Sequence, residues 1–401
     1  MGEDLAKLRA EVIMELALKY GCNPHQGQAT LTFSGKSPLQ ILNGTPGYIN
    51  LLDALNSWQL VRDLKVATGI ASAASFKHVS PAGAAIAKPI KAEYLRSQFL
   101  ELQDYSEVAC AYIRARGGDR MCSYGDVLAV SDRVDVSLAN VLKREVSDLI
   151  IAPSYDPQAL EILKTKQKGR FIILQMDWDY DPVELEQRQV FGFTLSQQRN
   201  RAKVDASLFQ NIVSRNRAVA AGIIETLTVA TIALKYTQSN SVCIAYDGQV
   251  IGMGAGQQSR VHCTRLACGK ADKWFLQQHP AILGLSFQDK VSKTDKTNAV
   301  DQILLWNELS EPEKAHLASA ISGAAPQLSP EDRLKWIHGF DGICLSSDAF
   351  IPFRDNIDRA SRSHVQYVAH AGQALRDDNV TAAADEYGMV MFQTGLRLFT
   401  H

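Results

Sequence analysis

Lys77 and His78 are adjacent residues whose chemical types suit proton transfer. The small and apolar residues 70–76 precede them and predict a short buried strand, so the pair is expected at a strand end. A Ser-Pro step and Gly83 follow and predict a loop. An imidazole beside a cation on such a loop could move a proton between reacting groups. The alternative is a surface lysine beside a histidine that satisfies a loop carbonyl. The pair alone favours this alternative, because structural histidines outnumber catalytic ones.

A second candidate is the glycine run Gly252, Gly254 and Gly256, between a predicted strand and a predicted helix. Free backbone N–H groups there could bind an anion. The run is not the dinucleotide fingerprint, because its third glycine comes one residue too early, and turn glycines would explain it about as well. Arg260 lies in the first turn of the following helix, where a cation opposes the helix dipole. That placement favours a ligand-binding role for Arg260.

Signatures of several enzyme classes are missing from the sequence. None of the 9 histidines is followed two residues later by glutamate, as a zinc deaminase requires. The 7 cysteines form no Cys-x-x-Cys pair, and no zinc site is expected. A complete Gly-x-x-x-x-Gly-Lys-Ser/Thr loop and a Gly-x-Ser-x-Gly elbow are also missing. These absences disfavour an ATP-dependent ligase and a serine hydrolase.

Composition indicates an ordinary globular protein of two or three domains. The chain has 401 residues, of which 46% are hydrophobic and 21% charged, and its net charge is −1. Nothing in this balance attracts nucleic acid or an anionic membrane. The first residues lack the pattern of a signal peptide, and no apolar run approaches the ~18 residues that span a bilayer. The scattered cysteines are typical of a reduced compartment, so a cytoplasmic location is expected.

Alternating strand and helix patterns predict an α/β fold. Two α/β subdomains are expected on either side of a mostly helical middle region, with approximate bounds 1–183, 184–276 and 277–401. Predicted helices include 4–18, 52–66, 136–146, 157–166, 217–236, 355–361 and 377–386. Predicted strands include 108–113, 127–130, 149–152, 171–175, 342–345, 365–369, 389–392 and an edge strand at 396–399, with a hairpin at 241–251. Residues 177–202 are predicted to be a connector without regular structure.

Taken together, a series of motifs along the whole chain closely resembles the AICAR transformylase portion of the bifunctional purine-biosynthesis family, which also carries IMP cyclohydrolase. The motifs occur in the family's order, and so many in sequence are far more specific than any one of them. They are Tyr20-Gly-x-Asn-Pro-His-Gln, Leu42-Asn-Gly-x-Pro-Gly, 75–85, Arg114-Ala-Arg-Gly-x-Asp-Arg, Arg144-Glu-Val-Ser-Asp, 235–240, 254–265, 346–355 and 396–399.

The resemblance implies a fold of two cytidine deaminase-like α/β subdomains without the deaminase zinc. It implies a homodimer with active sites at the subunit interface, and it allows a structural monovalent cation (K⁺) whose ligands the sequence does not assign. The family's amino-terminal cyclohydrolase domain has no counterpart here, so this chain is expected to lack that activity. A separate IMP cyclohydrolase would then act downstream. A natural stand-alone enzyme and a shortened form of a longer one remain equal alternatives.

The resemblance further implies transfer of a formyl group from 10-formyltetrahydrofolate to the 5-amino group of AICAR, giving FAICAR and tetrahydrofolate. His78 would accept a proton from that amine. Lys77 would stabilise the transition state and help to protonate the leaving nitrogen. Asn240 would orient the reacting groups.

The family pattern also assigns two sets of binding residues. AICAR would contact Asn240 together with Lys19, Tyr20, Gly125, Asp148, Arg260, Phe350 and Arg397. Folate would contact Val261, Asp355, Ala374 and Leu375.

Two of these positions depart from the family's usual residues. Lys19 replaces an arginine, keeping the charge but losing the bidentate fork that suits a phosphate. Ala374 replaces a serine, which matters where that hydroxyl binds folate.

Two other functions stay open: a catalytically silent relative that binds AICAR or partner enzymes, and a formate-using ligase that makes the same product. The intact Lys77-His78 pair and Asn240 disfavour the first, and the missing nucleotide loop disfavours the second.

Overall fold

The computed structural model describes residues 13–401 and confirms a mixed α/β fold in that range. The strands are β1 (Ile13–Ala17), β2 (Thr30–Ser34), β3 (Leu39–Asn43), β4 (Ser72–Lys77), β5 (Ser80–Ile86), β6 (Asp126–Val130), β7 (Ser147–Ala152), β8 (Ile172–Met176), β9 (Leu185–Val190), β10 (Phe193–Gln198), β11 (Val242–Tyr246), β12 (Gln249–Gly254), β13 (Ser286–Phe287), β14 (Ile321–Ser322), β15 (Cys344–Ser347), β16 (Tyr367–His370) and β17 (Val390–Gln393). The helices are α1 (Tyr48–Thr68), α2 (Ala92–Ser97), α3 (Glu107–Gly117), α4 (Val136–Lys143), α5 (Pro157–Lys164), α6 (Ile223–Lys235), α7 (Arg260–Leu276), α8 (Pro280–Leu283), α9 (Lys293–Leu304), α10 (Glu311–Ala318), α11 (Pro330–Ile337), α12 (Asp355–Arg362) and α13 (Asp377–Glu386).

One continuous sheet of 11 strands forms the centre, in the order β17-β16-β15-β11-β12-β5-β4-β6-β7-β8-β3. β15, β16 and β17 run parallel to one another, as do β6, β7 and β8. The strands between these two sets pair antiparallel, and β12 meets β5 through the pair Gln249 and Ala85. The expected division into two deaminase-like subdomains, with bounds near 183 and 276, stays a prediction.

Helices cover both faces of the sheet, which explains why its central strands are apolar throughout. Leu128 and Ile150 point to the face that carries α3, α4 and α7. Val127 and Leu149 point to the opposite face, where α1 and α6 pack. The alternation follows from the two-residue period of a strand. No helix in residues 13–401 combines the length and apolar character that crossing a bilayer requires.

Two predicted elements have the wrong type. Residues 108–113, predicted as a strand, lie inside helix α3, which Ser106 caps by accepting a hydrogen bond from the Ala109 N–H at 3.4 Å. A short apolar run fits a buried strand or a buried helix equally well, so its composition was ambiguous. Of the predicted helix 4–18, residues 13–17 form β1, paired antiparallel with β2; the earlier part lies outside the described residues.

Three further segments differ from their predictions. The connector predicted at 177–202 contains the hairpin β9–β10, whose polar sequence gave no apolar signal. Residues 396–399, predicted as an edge strand, follow β17 without strand pairing. Pro81 and Gly83, predicted on a loop, lie inside β5, so the loop after Lys77 is a two-residue turn.

Gly252 and Gly254 lie in β12 directly beneath α7, and an anion loop is therefore not their role. A Cβ atom on Gly254 would stand 2.1 Å from the carbonyl oxygen of Cys263, and one on Gly252 would stand 2.1 Å from that of Ala267. Both contacts are far inside van der Waals distance. The two glycines allow α7 to pack closely on the sheet, and α7 carries Arg260 at its first turn.

We predict that Gly254→Ala lowers the free energy of unfolding by about 3 kcal/mol, because α7 must move away from β12 to admit the methyl group. Urea denaturation measures this loss. Gly269→Ala is the matched control on α7, since a Cβ there meets no atom within 4 Å. The control should raise the stability by up to about 1 kcal/mol through helix propensity. Equal stability of the two variants would contradict the packing role of Gly254.

Candidate active site

The residues singled out from the sequence converge at one edge of the central sheet. β4 ends there at Lys77 and β5 begins there, because Lys77 pairs with Ser80. β6 and β7 begin at the same edge, since Asp126 pairs with Ser147. β11 begins there as well, and β15 ends there, because Val242 pairs with Ser347. Strand ends from both halves of the sheet therefore present their loops along a single line.

His78 and Val79 form the two-residue turn between β4 and β5, and both have positive φ angles, 54° and 61°. Hairpin turns of this kind normally carry glycine, asparagine or aspartate. A β-branched residue such as Val79 is unusual in this conformation. The strained turn leaves the His78 side chain exposed at the edge of the sheet.

Asp53 of α1 holds this turn in place from below. Its Oδ1 accepts a hydrogen bond from the Val79 N–H at 2.6 Å, and the backbone of His78 bonds to the same carboxylate. The side chain is buried, with 4% of the residue exposed. Burial raises the pKa of the Asp53 carboxyl, while the turn N–H groups and the charge of His78 oppose that shift. The hydrogen bonds from the turn to Asp53 thus offset part of the energetic cost of the strained backbone. The negative charge of Asp53 also lies close to His78.

Lys77 and Asp148 form the cationic and anionic parts of the first half of the site. Lys77 Nζ donates to the carbonyl oxygen of Tyr124 at 2.7 Å, which leaves its remaining N–H groups available. A Cβ on Gly125 would lie 4.0 Å from Asp148 Oδ2, so this glycine faces the carboxylate. Partial desolvation and the charge of Asp126 raise the pKa of Asp148, and the cations Lys77 and Lys19 oppose this.

Lys19 and Tyr20 are anchored at the start of α1. The Lys19 N–H donates to the Pro46 carbonyl, and the Tyr48 N–H donates to the Tyr20 carbonyl, both at 3.0 Å. The Tyr20 ring lies so close to Gly47 that a Cβ there would stand 2.4 Å from it. Both side chains are exposed, and the Lys19 ammonium is 5.8 Å from the centre of the Tyr20 ring.

Arg260 and Asp348, which are buried, form a network with the half-buried Asn240 in the second half of the site. Arg260 Nη1 binds the fully buried Asp348 carboxylate, and its Nη2 donates to Asn240 Oδ1 at 2.8 Å. Asn240 Nδ2 donates to the carbonyl of Gln257 at 3.0 Å. Asp348 Oδ2 also accepts from Ser239 Oγ at 2.7 Å. These bonds fix the orientation of the Asn240 amide and offset the charge of Arg260.

Phe350 and Arg397 are exposed, and each lies on a segment that adjoins Asp348 in sequence or by a hydrogen bond. The segment that carries Arg397 is tied to the network, because the Leu398 N–H donates to the Asp348 carbonyl at 2.8 Å. The four residues expected to contact folate lie in loops and helix starts of the same half: Val261 at the start of α7, Asp355 at the start of α12, and Ala374 and Leu375 before α13. Leu375 is fully exposed.

The two halves of the site stand apart within one chain. β5 and β12 lie between β4 and β11 in the strand order, and their ladder contact, Ala85 with Gln249, is at the end of β5 remote from Lys77. One direct link crosses the gap, since the Gln238 N–H lies 3.5 Å from Ser80 Oγ. The structure thus groups Lys19, Tyr20, Lys77, His78, Gly125 and Asp148 on one side. It groups Asn240, Arg260, Val261, Phe350, Asp355, Ala374, Leu375 and Arg397 on the other.

Asp53 and Asp348 were not identified as site residues from the sequence. Asp348 follows a strand inside a motif already noted, which is the usual position of a polar site residue. Asp53 gave a weaker signal: it shares helical spacing with Ser57, Leu60 and Leu64, all of which are buried. A carboxylate on a buried helix stripe requires a partner. Across the described residues, no three His, Cys, Asp or Glu side chains are grouped so as to hold a metal ion.

We predict that Asp53→Ala lowers the free energy of unfolding by about 1–3 kcal/mol, because the turn N–H groups lose their buried acceptor. Asp53→Asn keeps an acceptor oxygen and should cost less. Chemical denaturation measures both. Asn56→Ala on the same helix is the control, since Asn56 bonds within α1 to the Leu52 carbonyl. A loss for Asp53→Ala no larger than the control's would show that the turn does not depend on Asp53.

Comparisons with known proteins agree with the sequence motifs. The family model described as "AICARFT/IMPCHase bienzyme" matches residues 3–270. Proteins named "Bifunctional purine biosynthesis protein PurH" align with 96% of the chain: that of Sorangium cellulosum is 27% identical over 392 residues and that of Roseobacter denitrificans 29% over 391. The chain spans 58% and 59% of these two relatives. The family match covers well over half of the sequence, and this protein therefore belongs to the AICARFT/IMPCHase bienzyme family.

Proposed function

We propose that this chain transfers the formyl group of 10-formyltetrahydrofolate to the 5-amino group of AICAR, releasing FAICAR and tetrahydrofolate. Membership of the family supports a role in purine biosynthesis. The proposal of formyl transfer rests on one observation: the Lys77-His78 turn and the Asn240 network lie on loops at the same sheet edge. That arrangement supplies a base, a cation and a fixed amide to one cleft, as acyl transfer to an amine requires.

His78 acts as the proton acceptor. The amine of AICAR is a weak nucleophile because its lone pair is delocalised towards the carboxamide, so its proton must leave during attack on the formyl carbon. The exposed imidazole on the turn can reach a bound substrate. The Asp53 carboxylate binds the Val79 N–H at 2.6 Å and so holds the turn that presents the imidazole at the sheet edge.

Lys77 stabilises the oxyanion of the tetrahedral intermediate and supplies a proton to N10 of the departing tetrahydrofolate. Its ammonium is held by one hydrogen bond to the Tyr124 carbonyl and keeps donors for the substrate. Asn240 orients the reacting groups, since its amide is fixed by Arg260 and by the Gln257 carbonyl.

The nucleotide phosphate is bound mainly by Lys19 and Arg397. Both cations are exposed, whereas the charge of Arg260 is offset by its contact with Asp348. The exposed ring of Phe350 provides a surface on which the planar imidazole can stack. Val261, Asp355, Ala374 and Leu375 contact the folate. Gly125 and Asp148 line the opposite wall beside Lys77, and Tyr20 lies near the phosphate with Lys19.

The active form is a homodimer, in which a second copy completes the cleft. The β9–β10 hairpin supports this assembly, because all six residues of β10 and five of six in β9 are exposed. Its exposed side chains include Phe191 and Phe193, with 97% and 71% of each residue exposed. Apolar groups so exposed are typical of a surface that another protein covers.

The activity is tested by mixing the protein with AICAR and 10-formyltetrahydrofolate and following the release of tetrahydrofolate. A parallel reaction contains formate and ATP instead of the folate. Release with the folate donor alone supports the proposal. Product from formate and ATP alone would identify a ligase, and product from neither would identify a silent relative; either result overturns the proposal.

We predict that His78→Ala lowers kcat by about 10²-fold, the usual scale for loss of a general base. The strained turn should persist, since Asp53 binds its backbone rather than the imidazole ring. His316→Ala, an exposed histidine on α10, is the matched control and should keep the parent rate. A kcat within twofold of the parent for His78→Ala would remove His78 from the reaction.

We predict that the double variant Phe191→Ser, Phe193→Ser shifts the protein from dimer to monomer at micromolar concentration, because the hairpin loses its apolar contact surface. Analytical ultracentrifugation measures the change in mass. Leu102→Ser removes an exposed apolar side chain on another surface and should leave the mass unchanged. A double variant that remains dimeric would place the interface elsewhere.

A further inference from the structure

A cavity of about 440 Å³ lies where helices α7, α11 and α12 meet. This volume is within the range of small-molecule binding sites. The residues that line it are Asp272, Leu276, Pro330, Arg333, Leu334, Ile337, Arg359 and Arg362. Since three of them are arginines and one is an aspartate, the wall of the cavity carries an excess of positive charge.

The cavity is remote from the sheet edge that holds the site described above. α7 begins at that edge with Arg260, and Asp272 lies 12 residues further along the helix, about 18 Å along its axis. α12 begins with Asp355 and carries Arg359 and Arg362 in its last turn. None of the residues assigned to AICAR or to folate lines this cavity, so the function proposed above gives it no role.

Asp272, the carboxylate of the wall, is already bound by protein groups. Its Oδ2 accepts a hydrogen bond from Arg359 Nη2 at 2.9 Å, and its Oδ1 accepts one from Ser363 Oγ at 2.5 Å. Burial raises the pKa of the Asp272 carboxyl, and the charges of Arg359 and Arg362 oppose that shift. Asp272 therefore balances the charge of Arg359, and the charges of the other two arginines remain.

Arg333 and Arg362 keep most of their hydrogen-bond donors. Arg333 donates from Nη2 to the Leu304 carbonyl at 2.7 Å and from Nε to the Leu328 carbonyl at 3.3 Å. Both acceptors are neutral, and a guanidinium has five N–H donors. Glu308 acts on Arg333 by its charge alone, since the two form no ion pair in the described part of the chain. Arg362 is exposed, and within the same part of the chain its side chain has no ion pair or hydrogen bond.

The helix dipole explains these arginines in part. Arg359 and Arg362 lie in the last turn of α12, where a cation stabilises the negative end of the helix. Arg333 is the fourth residue of α11, near the positive end of that helix, where the dipole does not favour a cation. The dipole therefore does not account for Arg333, whereas an anionic ligand would use its remaining donors.

We propose that this cavity binds a phosphate monoester with an apolar or aromatic body, a class that includes the mononucleotides. Near neutral pH such a phosphate carries a charge of about −2 and three acceptor oxygens. Two guanidinium groups with spare donors match that charge, and the planar fork of arginine suits phosphate oxygens. Leu276, Leu334 and Ile337 form an apolar part of the wall, and 45% of Leu334 is exposed. This part would cover the body of the ligand.

Titration calorimetry on the full chain tests the site with phenyl phosphate, which combines one phosphate with one aromatic ring. We expect Arg362→Gln to weaken binding about tenfold through loss of a charge-assisted contact. Arg333→Lys keeps the charge but loses the fork, so it should weaken binding by a smaller factor. Lys335→Gln, an exposed lysine on α11 outside the cavity wall, is the control and should bind like the parent.

Two further measurements show that the change lies in the cavity. Urea denaturation should give Arg362→Gln the stability of the parent, because the Arg362 side chain is exposed. The reaction site proposed above also binds a phosphate, and Arg397→Gln removes one of its cations. Phenyl phosphate should bind Arg397→Gln as tightly as the parent. Weaker binding by Arg397→Gln with undiminished binding by Arg362→Gln would place the probe at the reaction site and overturn the cavity proposal.

Three other probes test the class of ligand. Inorganic phosphate should bind about tenfold more weakly than phenyl phosphate, because it buries no apolar surface. Phenol should not bind measurably, since it lacks the anion, and citrate should bind more weakly than phenyl phosphate. Equal affinity for inorganic phosphate and phenyl phosphate, tighter binding of citrate, or no binding of phenyl phosphate at millimolar concentration would each overturn the proposal.

Discussion

The junction between β5 and β12 joins the two halves of the sheet, and the geometry of the whole edge depends on it. One residue pair, Gln249 with Ala85, makes the ladder contact. The Gln249 side chain strengthens it by donating to the Arg114 carbonyl of α3 at 2.7 Å. Helix α3 closes over the junction because glycines admit it: a Cβ on Gly83 would stand 2.1 Å from the Ala115 carbonyl oxygen, and one on Gly118 would stand 2.2 Å from that of Val250. Because β5 and β12 pair antiparallel, the first residues of β6 and β7 and the last residues of β15 and β16 lie at the same edge of the sheet. The site residues of both halves therefore lie along that edge.

The sequence predicted most of the regular elements because their signals are local. Helix α13 occupies the predicted residues 377–386, and the hairpin β11–β12 has its Asp-Gly turn as predicted. Errors arose where a second interaction decides the structure. The spacing of apolar residues predicted that residues 13–17 belong to a helix, but they form a strand that pairs with β2. Hydrophobic periodicity describes one segment at a time and cannot show which other segment it pairs with. The single continuous sheet was not foreseen either, since strand order between distant segments leaves no mark on local composition.

The site was predicted in part for the same reason. Lys77 and His78 stand out because adjacent polar residues at a strand end are a local pattern. Asp53 lies 25 residues before His78 and acts on its turn through tertiary contact, so its role became visible once α1 was packed beneath the hairpin. The buried carboxylates Asp126 and Glu145 are similar: each resembles an ordinary acidic residue in the sequence, and burial beside two arginines gives each its function. Residue types were therefore predictable, whereas the pairing of charges was not.

Charge pairing divides the cations of this edge into two kinds. Arg116, Arg120 and Arg260 are buried and bound to carboxylates, and they fix geometry through several directed bonds each. The cations to which a substrate-binding role is proposed are exposed or held by neutral groups, as Lys19, Lys77 and Arg397 are. A buried unpaired cation would cost far more desolvation energy than an exposed one, so the fold gains rigidity from paired arginines and attraction from accessible cations. Lysine at position 19 fits this division: the phosphate-binding role proposed for it requires a surface charge, whereas the bidentate fork of an arginine matters most where the protein itself fixes the partner.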